Sequence, residues 1–269
     1  MPFSSFVTIR GQVPRWASIV LGAIPILAIF LMWWIFTSGA PEERRIAPTI
    51  LPSPVEVAQS IPELMTSRDL LHHVWASVRR VSLSFMLSLT LVLPVGILMG
   101  SFGSVGAIFT PVSTASSYIP IATLVPLTMS WFGIDELQKI MFLAMAFGIY
   151  LLPLVVKAIQ SVPDIYLRTS YTLGATRWDV IRHVLIPIAL PDLWHAMRLA
   201  FGVGWTYIVL AEVVVMVDGL GFLIQNSFRR GPREHIYLVI LVITLIAWAA
   251  DLAWKRLGWV LFPYRQERS

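Results

Sequence analysis

The residues capable of chemistry are few in this chain, and they form no familiar catalytic pattern. The five histidines lack His-Glu-x-x-His or any other ligand spacing, so we expect no metal site. Cysteine is absent, and no Gly-x-Ser-x-Gly turn presents a serine nucleophile. None of the three lysines follows a glycine, which excludes a phosphate-binding loop in this sequence. We therefore expect neither an enzyme nor a cofactor site.

One acidic residue stands out by its position. Glu212 lies well inside a long apolar stretch, where an unpaired carboxylate would cost several kcal/mol in lipid. Such an acid is a functional candidate, and we place Glu212 among the residues that line a transport path. The alternative is a structural hydrogen bond to a neighbouring helix near the outer surface.

The composition is that of an integral membrane protein. Hydrophobic residues make up 57% of the 269 positions and charged residues only 13%, against about 25% in soluble domains. The mean hydropathy is +0.76. The pI near 9.8 is explained by arginines beside anionic lipid headgroups, so we expect membrane lipid rather than nucleic acid as a partner.

Six windows are long and apolar enough to cross a bilayer, and they predict an all-α, polytopic protein with one transmembrane domain over 1–269. They are roughly 17–37, 81–101, 105–129, 137–156, 193–217 and 236–253. The third window contains three prolines and predicts a broken helix. Freed backbone groups are tolerated at membrane depth only against protein or water, so we expect Pro120, Pro126 and Met129 to line the path.

An even number of spans places both termini on one side, which we assign to the cytoplasm. Lysines and arginines divide eleven to nine in favour of that side, a weak bias. The long inward-facing segment is then 157–192. We interpret the first span as a retained helix, because its apolar run exceeds that of a signal peptide.

The inward segment contains "GATRWDVIRHVLIPIALP", a charged stretch in an apolar chain. Gly174 favours a turn, and Trp178, Ile181 and Leu185 share one face of the helix that follows. Pro187 and Pro191 are expected to end that helix. From the residues alone, the unit is a helix, a glycine turn, an amphipathic helix and a proline stop. An interfacial helix resting on headgroups is the competing interpretation.

The stretch resembles the cytoplasmic loop of ABC importer permeases of the binding-protein-dependent type. Their motif has Glu-Ala-Ala, three residues, Gly, nine residues and Ile-x-Leu-Pro. Here Gly174 is followed by nine residues and then "VLIP", whereas Arg168 begins the "RTS" that replaces Glu-Ala-Ala. Five further segments look like the nitrate, sulfonate, taurine and bicarbonate branch: "LPSPVEV" at 51–57, "LPVGILMGSF" at 93–102, "IPIATLVPLTMSWFGI" at 119–134, "AEVV" at 211–214 and "DGLGFLI" at 218–224.

The resemblance implies a type I importer permease whose loop docks in a groove of a separate ATPase. The residues it assigns to this coupling are Arg168, Gly174, Ala175, Thr176, Arg177, Trp178, Asp179, Arg182 and Pro187. It further implies a bacterial inner-membrane protein that works with a second permease subunit, as a homodimer, with two ATPases that bind ATP and Mg²⁺, and with an extracytoplasmic substrate-binding protein.

For the solute, the resembling branch implies an oxyanion such as a sulfonate, nitrate or bicarbonate. Two alternatives stay open. The first is a permease for an aromatic or vitamin-precursor compound. The second is an autonomous carrier or channel, for which we would expect more ionisable residues inside the spans than Glu212.

Overall fold

The computed structural model describes residues 13–40, 42, 44–214 and 217–264. All regular structure in these residues is helical, which confirms the all-α prediction. A 3₁₀ turn (Ile121–Thr123) precedes α6, and a π turn (Ile181–Leu185) joins α9 to α10. The helices are α1 (Arg15–Thr37), α2 (Pro54–Gln59), α3 (Ile61–Thr66), α4 (Leu70–Ser101), α5 (Gly103–Ser117), α6 (Leu124–Phe132), α7 (Glu136–Gln160), α8 (Asp164–Thr172), α9 (Arg177–Val180), α10 (Ile186–Val214), α11 (Leu220–Arg230) and α12 (Arg233–Leu261).

Five long helical stretches are apolar enough to cross a membrane: α1, α4, α7, the continuous α9–α10 stretch and α12. The third predicted window corresponds to α5 together with the segment 121–132, and the chain bends by 89° between them. The protein has six spans if this bent pair counts as one. The break lies at Pro120, which has no backbone N–H with which to continue the helical hydrogen bonds.

The core is built from α4, α7 and α10, and glycine allows them to pack closely. A Cβ on Gly96 of α4 would lie 2.6 Å from Val155 Cγ1 of α7, and one on Gly100 would lie 2.7 Å from Ile159 Cβ. Gly204 of α10 similarly accommodates the Phe147 ring of α7. The three helices therefore approach at a distance that only a hydrogen side chain permits.

The prediction that Pro187 and Pro191 end the amphipathic helix is wrong, because one helical stretch runs from Arg177 to Val214. In the π turn, the Ile186 N–H bonds to the Ile181 carbonyl oxygen. The wider turn places Pro187 in the first turn of α10, where a missing N–H costs little. Pro191 is buried inside α10, so this helix continues past a proline.

Helix α4 begins at Leu70, eleven positions before the predicted span. The counting of charges excluded this stretch because it carries Arg79 and Arg80. The structure accommodates them by ion pairing within the bundle. Outside the core, α1 is largely exposed and is attached through Trp33, whose Nε1 donates to the Pro52 carbonyl oxygen at 2.9 Å.

Candidate functional site

The segment predicted to couple to an ATPase lies at the end of the bundle where α7 ends and α10 begins. Helix α8 ends at Thr172, and Gly174 follows with φ of +83°. The Gly174 N–H bonds to the Tyr171 carbonyl at 3.0 Å and the Ala175 N–H to the Ser170 carbonyl at 3.1 Å. Glycine suits this left-handed helix end because it has no Cβ to strain the backbone.

A capping box starts the next helix. Thr176 Oγ1 accepts a hydrogen bond from the Asp179 N–H at 3.3 Å, and Asp179 Oδ2 accepts one from the Thr176 N–H at 3.1 Å. These bonds satisfy backbone donors that the first helical turn leaves open. Two predicted coupling residues therefore fix the shape of the loop from within.

The loop exposes apolar side chains beside cations. Leu173 is 83% exposed and Trp178 65% exposed, with Tyr171 also exposed. Ile181 and Leu185, predicted to share one face of the helix with Trp178, are buried in the protomer's own core, whereas Trp178 is exposed. The apolar surface available to a partner is thus the exposed apolar tip, which we define as Tyr171, Leu173 and Trp178.

The structure brings the predicted coupling residues together at this end of the bundle. All of them except half-buried Ala175 are exposed. Arg168, Arg177 and Arg182 have no ion-pair partner among the residues that the structure describes. This leaves three cations around the exposed apolar tip.

A buried ionic network occupies the opposite end of the core and includes Glu212. Arg80, with no exposed side-chain surface, donates to Glu212 Oε1 at 2.8 Å and to Glu136 Oε2 at 2.9 Å. It also donates to the Asp218 carboxylate. Lys139 lies 3.3 Å from Glu136 and is itself buried. One arginine therefore joins α4, α7, α10 and the loop that leads to α11.

The remaining bonds to Glu212 come from two small groups. Ser77 Oγ lies 2.7 Å from Glu212 Oε1, and the Gly221 N–H donates to Oε2 at 2.8 Å. A Cβ on Gly219 would lie 2.3 Å from the Glu212 carboxyl carbon. The glycines of "DGLG" therefore leave room for the carboxylate of "AEVV". The two segments, which are separate in the sequence, are in contact in the structure.

Arg80 was not identified from the sequence as the partner of Glu212. The signal that would have found it is the apolar setting of Glu212, since a buried carboxylate requires a cationic partner. The structure places Glu212 wholly inside the protomer, in the structural setting that the sequence left as an alternative to the path. Of the other predicted path residues, Pro120 and Pro126 are exposed on the broken segment and Met129 is half-buried.

Comparison with known sequences identifies the family. Residues 92–257 match the family described as "Binding-protein-dependent transport system inner membrane component". This chain belongs to that family. The matched range runs from α4 into α12 and includes the loop, together with Glu136, Lys139, Glu212 and Asp218 of the ionic network.

Three relatives illustrate the range of the family. The chain is 28% identical to the taurine transport system permease protein TauC of Escherichia coli (strain K12), covering 96% of this chain and 94% of the relative. It is 30% identical to the riboflavin transport system permease protein RibX of Chloroflexus aurantiacus, covering 84% and 83%. It is 23% identical to the nitrate import permease protein NrtB of Leptolyngbya laminosa, covering 89% and 84%.

A solved structure shares the fold. A chain of the MetNI methionine ABC transporter, in an inward-facing conformation, superposes with a TM-score of 0.64 at 20% identity. The superposition covers 70% of this chain and 94% of the solved one. The type I importer permease architecture expected from the sequence is therefore confirmed as the fold.

Proposed function

We propose that this chain is the permease subunit of an ATP-driven importer of small oxyanions, supplied by an extracytoplasmic binding protein. The observation that carries the proposal is the shape of the loop. The segment that carries the exposed apolar tip and three arginines, Arg168, Arg177 and Arg182, continues through one helical stretch from Arg177 to Val214 into the membrane core. Such a tip fits a groove on another protein, because Gly174 and the capping box fix the shape of the loop and leave Leu173 and Trp178 exposed.

The continuous helix supplies the means of coupling. A rigid element transmits a displacement at one end to the other, as in rigid-body switching. Helix α10 carries Glu212 near its far end, so movement of the loop would be felt at the Arg80 network. We propose that paired ATPase subunits, which bind ATP and Mg²⁺, move the loop and so alternate the access of the path.

The proposed assembly contains two copies of this chain, two ATPases and one binding protein in a bacterial inner membrane, with both termini in the cytoplasm. Oxyanion transport is supported by the relatives named for taurine and nitrate. The relative named for riboflavin supports the alternative of an aromatic or vitamin-precursor solute. An autonomous carrier has less support, because the buried charges form a paired network within one protomer.

The test is co-purification from native membranes through a tag on this chain. We expect an ATPase to accompany the wild-type chain and to be lost from the Leu173→Glu, Trp178→Glu double variant. The matched control is Val260→Glu, which places a carboxylate at a 78% exposed residue of another helix, α12. Retention of the ATPase by the double variant, at wild-type expression, would contradict the docking role.

A further inference from the structure

Two tyrosines contact each other between the core helices α7 and α10, away from the ends of both helices. Tyr150 of α7 and Tyr207 of α10 stack with ring centroids 6.2 Å apart, and their hydroxyl oxygens are 3.0 Å apart. Tyr150 is 40% exposed. It lies seven residues from Lys157, or about 10 Å along the helix. The pair therefore sits inside the apolar part of the bundle, facing outward from the protomer's core.

The hydroxyl pair has hydrogen-bonding capacity left over. One hydroxyl donates to the other, so one O–H proton has no acceptor among the described residues. A free donor facing hydrocarbon would be costly, whereas one facing water or an anion would be satisfied. Thr206 and Gly202 are exposed beside the pair, so this face of α10 is polar and small rather than lipid-like.

From the tyrosines, one face of each helix leads to the inner end. On α7 and its C-terminal cap, residues 150, 154, 157 and 161 fall within a narrow arc, since they are spaced by four, three and four positions. On α10, residues 207, 203 and 199 follow at intervals of four. We call these two rows the tyrosine–lysine stripe.

The stripe ends in a concave space near the coupling loop. A cavity of about 490 Å³ is lined there by Leu154, Lys157, Ser161, Asp192, His195 and Leu199 among others. Ser161 Oγ donates to Asp192 Oδ2 at 3.4 Å. Lys157 is exposed and has no ion-pair partner among the described residues. The cavity thus holds one free cation and an imidazole, with Asp192 on its wall.

We propose that the tyrosine–lysine stripe lines the inner half of the transport path, with the Tyr150–Tyr207 hydroxyls as the mid-membrane anion contact and Lys157 with His195 at its exit. This inference rests on the proposed function and names the residues that carry the substrate. Neutral hydroxyls bind an oxyanion by donating hydrogen bonds, and they hold it less tightly than the full charge of a buried arginine would. The lysine then draws it inward, and Asp192 limits how firmly it stays.

The absence of cysteine in this chain allows a direct test of the path. Leu154→Cys and Leu199→Cys place one thiol each on the stripe, and Leu245→Cys on exposed α12 is the control. In the nucleotide-free assembled transporter, we expect an anionic water-soluble thiosulfonate to label both stripe positions at least tenfold faster than the control. Labelling of the stripe no faster than the control would overturn the path.

Charge preference tests the anion contact separately. We expect the anionic reagent to exceed its cationic counterpart in rate at Leu199→Cys, and Lys157→Gln to lower that ratio roughly threefold. Lys255→Gln is the control and should leave the ratio of the two labelling rates unchanged. If Lys157→Gln also leaves this ratio unchanged, the proposed role of Lys157 is overturned.

Transport tests the hydroxyls. In proteoliposomes with the whole transporter, Tyr150→Phe with Tyr207→Phe should lower ATP-driven uptake of taurine or nitrate roughly fivefold or more, with ATPase stimulation retained. Tyr264→Phe, at an exposed tyrosine beyond the end of α12, is the control and should have no effect. Uptake unchanged by the double variant overturns the anion contact. If the wild-type transporter takes up neither anion, the proposed function fails, whereas fast labelling of the stripe would still support the path.

Discussion

Removal of Arg80 should destabilise this protein far more than removal of an exposed arginine. In Arg80→Met, the Glu212 carboxylate loses its cation while it has no exposed surface. Breaking a buried ion pair in this way costs about 3 to 5 kcal/mol. Glu136 and Asp218 suffer less, because they are 41% and 22% exposed and Lys139 stays beside both. At about 2 to 4 °C per kcal/mol for a chain of this size, Tm should fall by about 6 to 20 °C.

The assay is thermal unfolding in detergent, and the matched control is Arg198→Met. Arg198 pairs with Asp251 at 2.6 Å, but the two side chains are 24% and 46% exposed, so the pair is worth about 1 kcal/mol or less. Adding Glu212→Gln to Arg80→Met should restore about 2 kcal/mol or more, since it removes the unpaired charge. A fall in Tm for Arg80→Met no larger than that for Arg198→Met would refute the reasoning.

Three further predictions follow from particular positions. Gly96→Ala should lower the free energy of unfolding by about 1 to 3 kcal/mol in the same assay, because its Cβ would lie 2.6 Å from Val155. Gly22→Ala, where the added Cβ meets open space, should not lower it. Equal effects of the two variants would contradict the close packing of α4 on α7. Gly174→Val should reduce ATP-driven uptake through backbone strain alone, since no atom lies within 4 Å of a Cβ added at this position. Gly174→Asn should retain most of the uptake, because asparagine tolerates the left-handed conformation. Equal losses of uptake in the two variants would argue against the left-handed turn. Burial raises the pKa of Glu56, but bonds from Ser53 and Arg44 outweigh it and hold the pKa below its ordinary 4.5. The stability that Glu56 gives to the start of α2 is therefore present above that value and lost as pH falls through the lowered pKa. Limited proteolysis near α2 should increase at acid pH in the wild type and vary less in Glu56→Gln.

The sequence predicts the spans and the loop well, because both leave strong local signals. Apolar length identifies the spans, and the spacing from Gly174 to Pro187 identifies the loop. The positive φ of Gly174 and the capping box at Thr176 are local features that residue type alone indicates. Assignment of the loop residues to ATPase coupling stays a prediction.

What the sequence hides is non-local. The partner of Glu212 lies 132 positions away on another helix, and no local pattern relates it to Arg80. The continuation past Pro187 is hidden for another reason, because a π turn is set by backbone geometry that the residue types do not reveal. The tyrosine–lysine stripe likewise appears only when α7 and α10 are brought side by side.

The central claim is that this chain conducts an oxyanion only when ATPases drive it. The most direct test is uptake of radiolabelled taurine and of nitrate by proteoliposomes that contain the transporter purified through this chain, with its binding protein. We predict uptake that requires both ATP inside and the binding protein outside. Equal uptake by the chain alone, without ATP, would contradict the account.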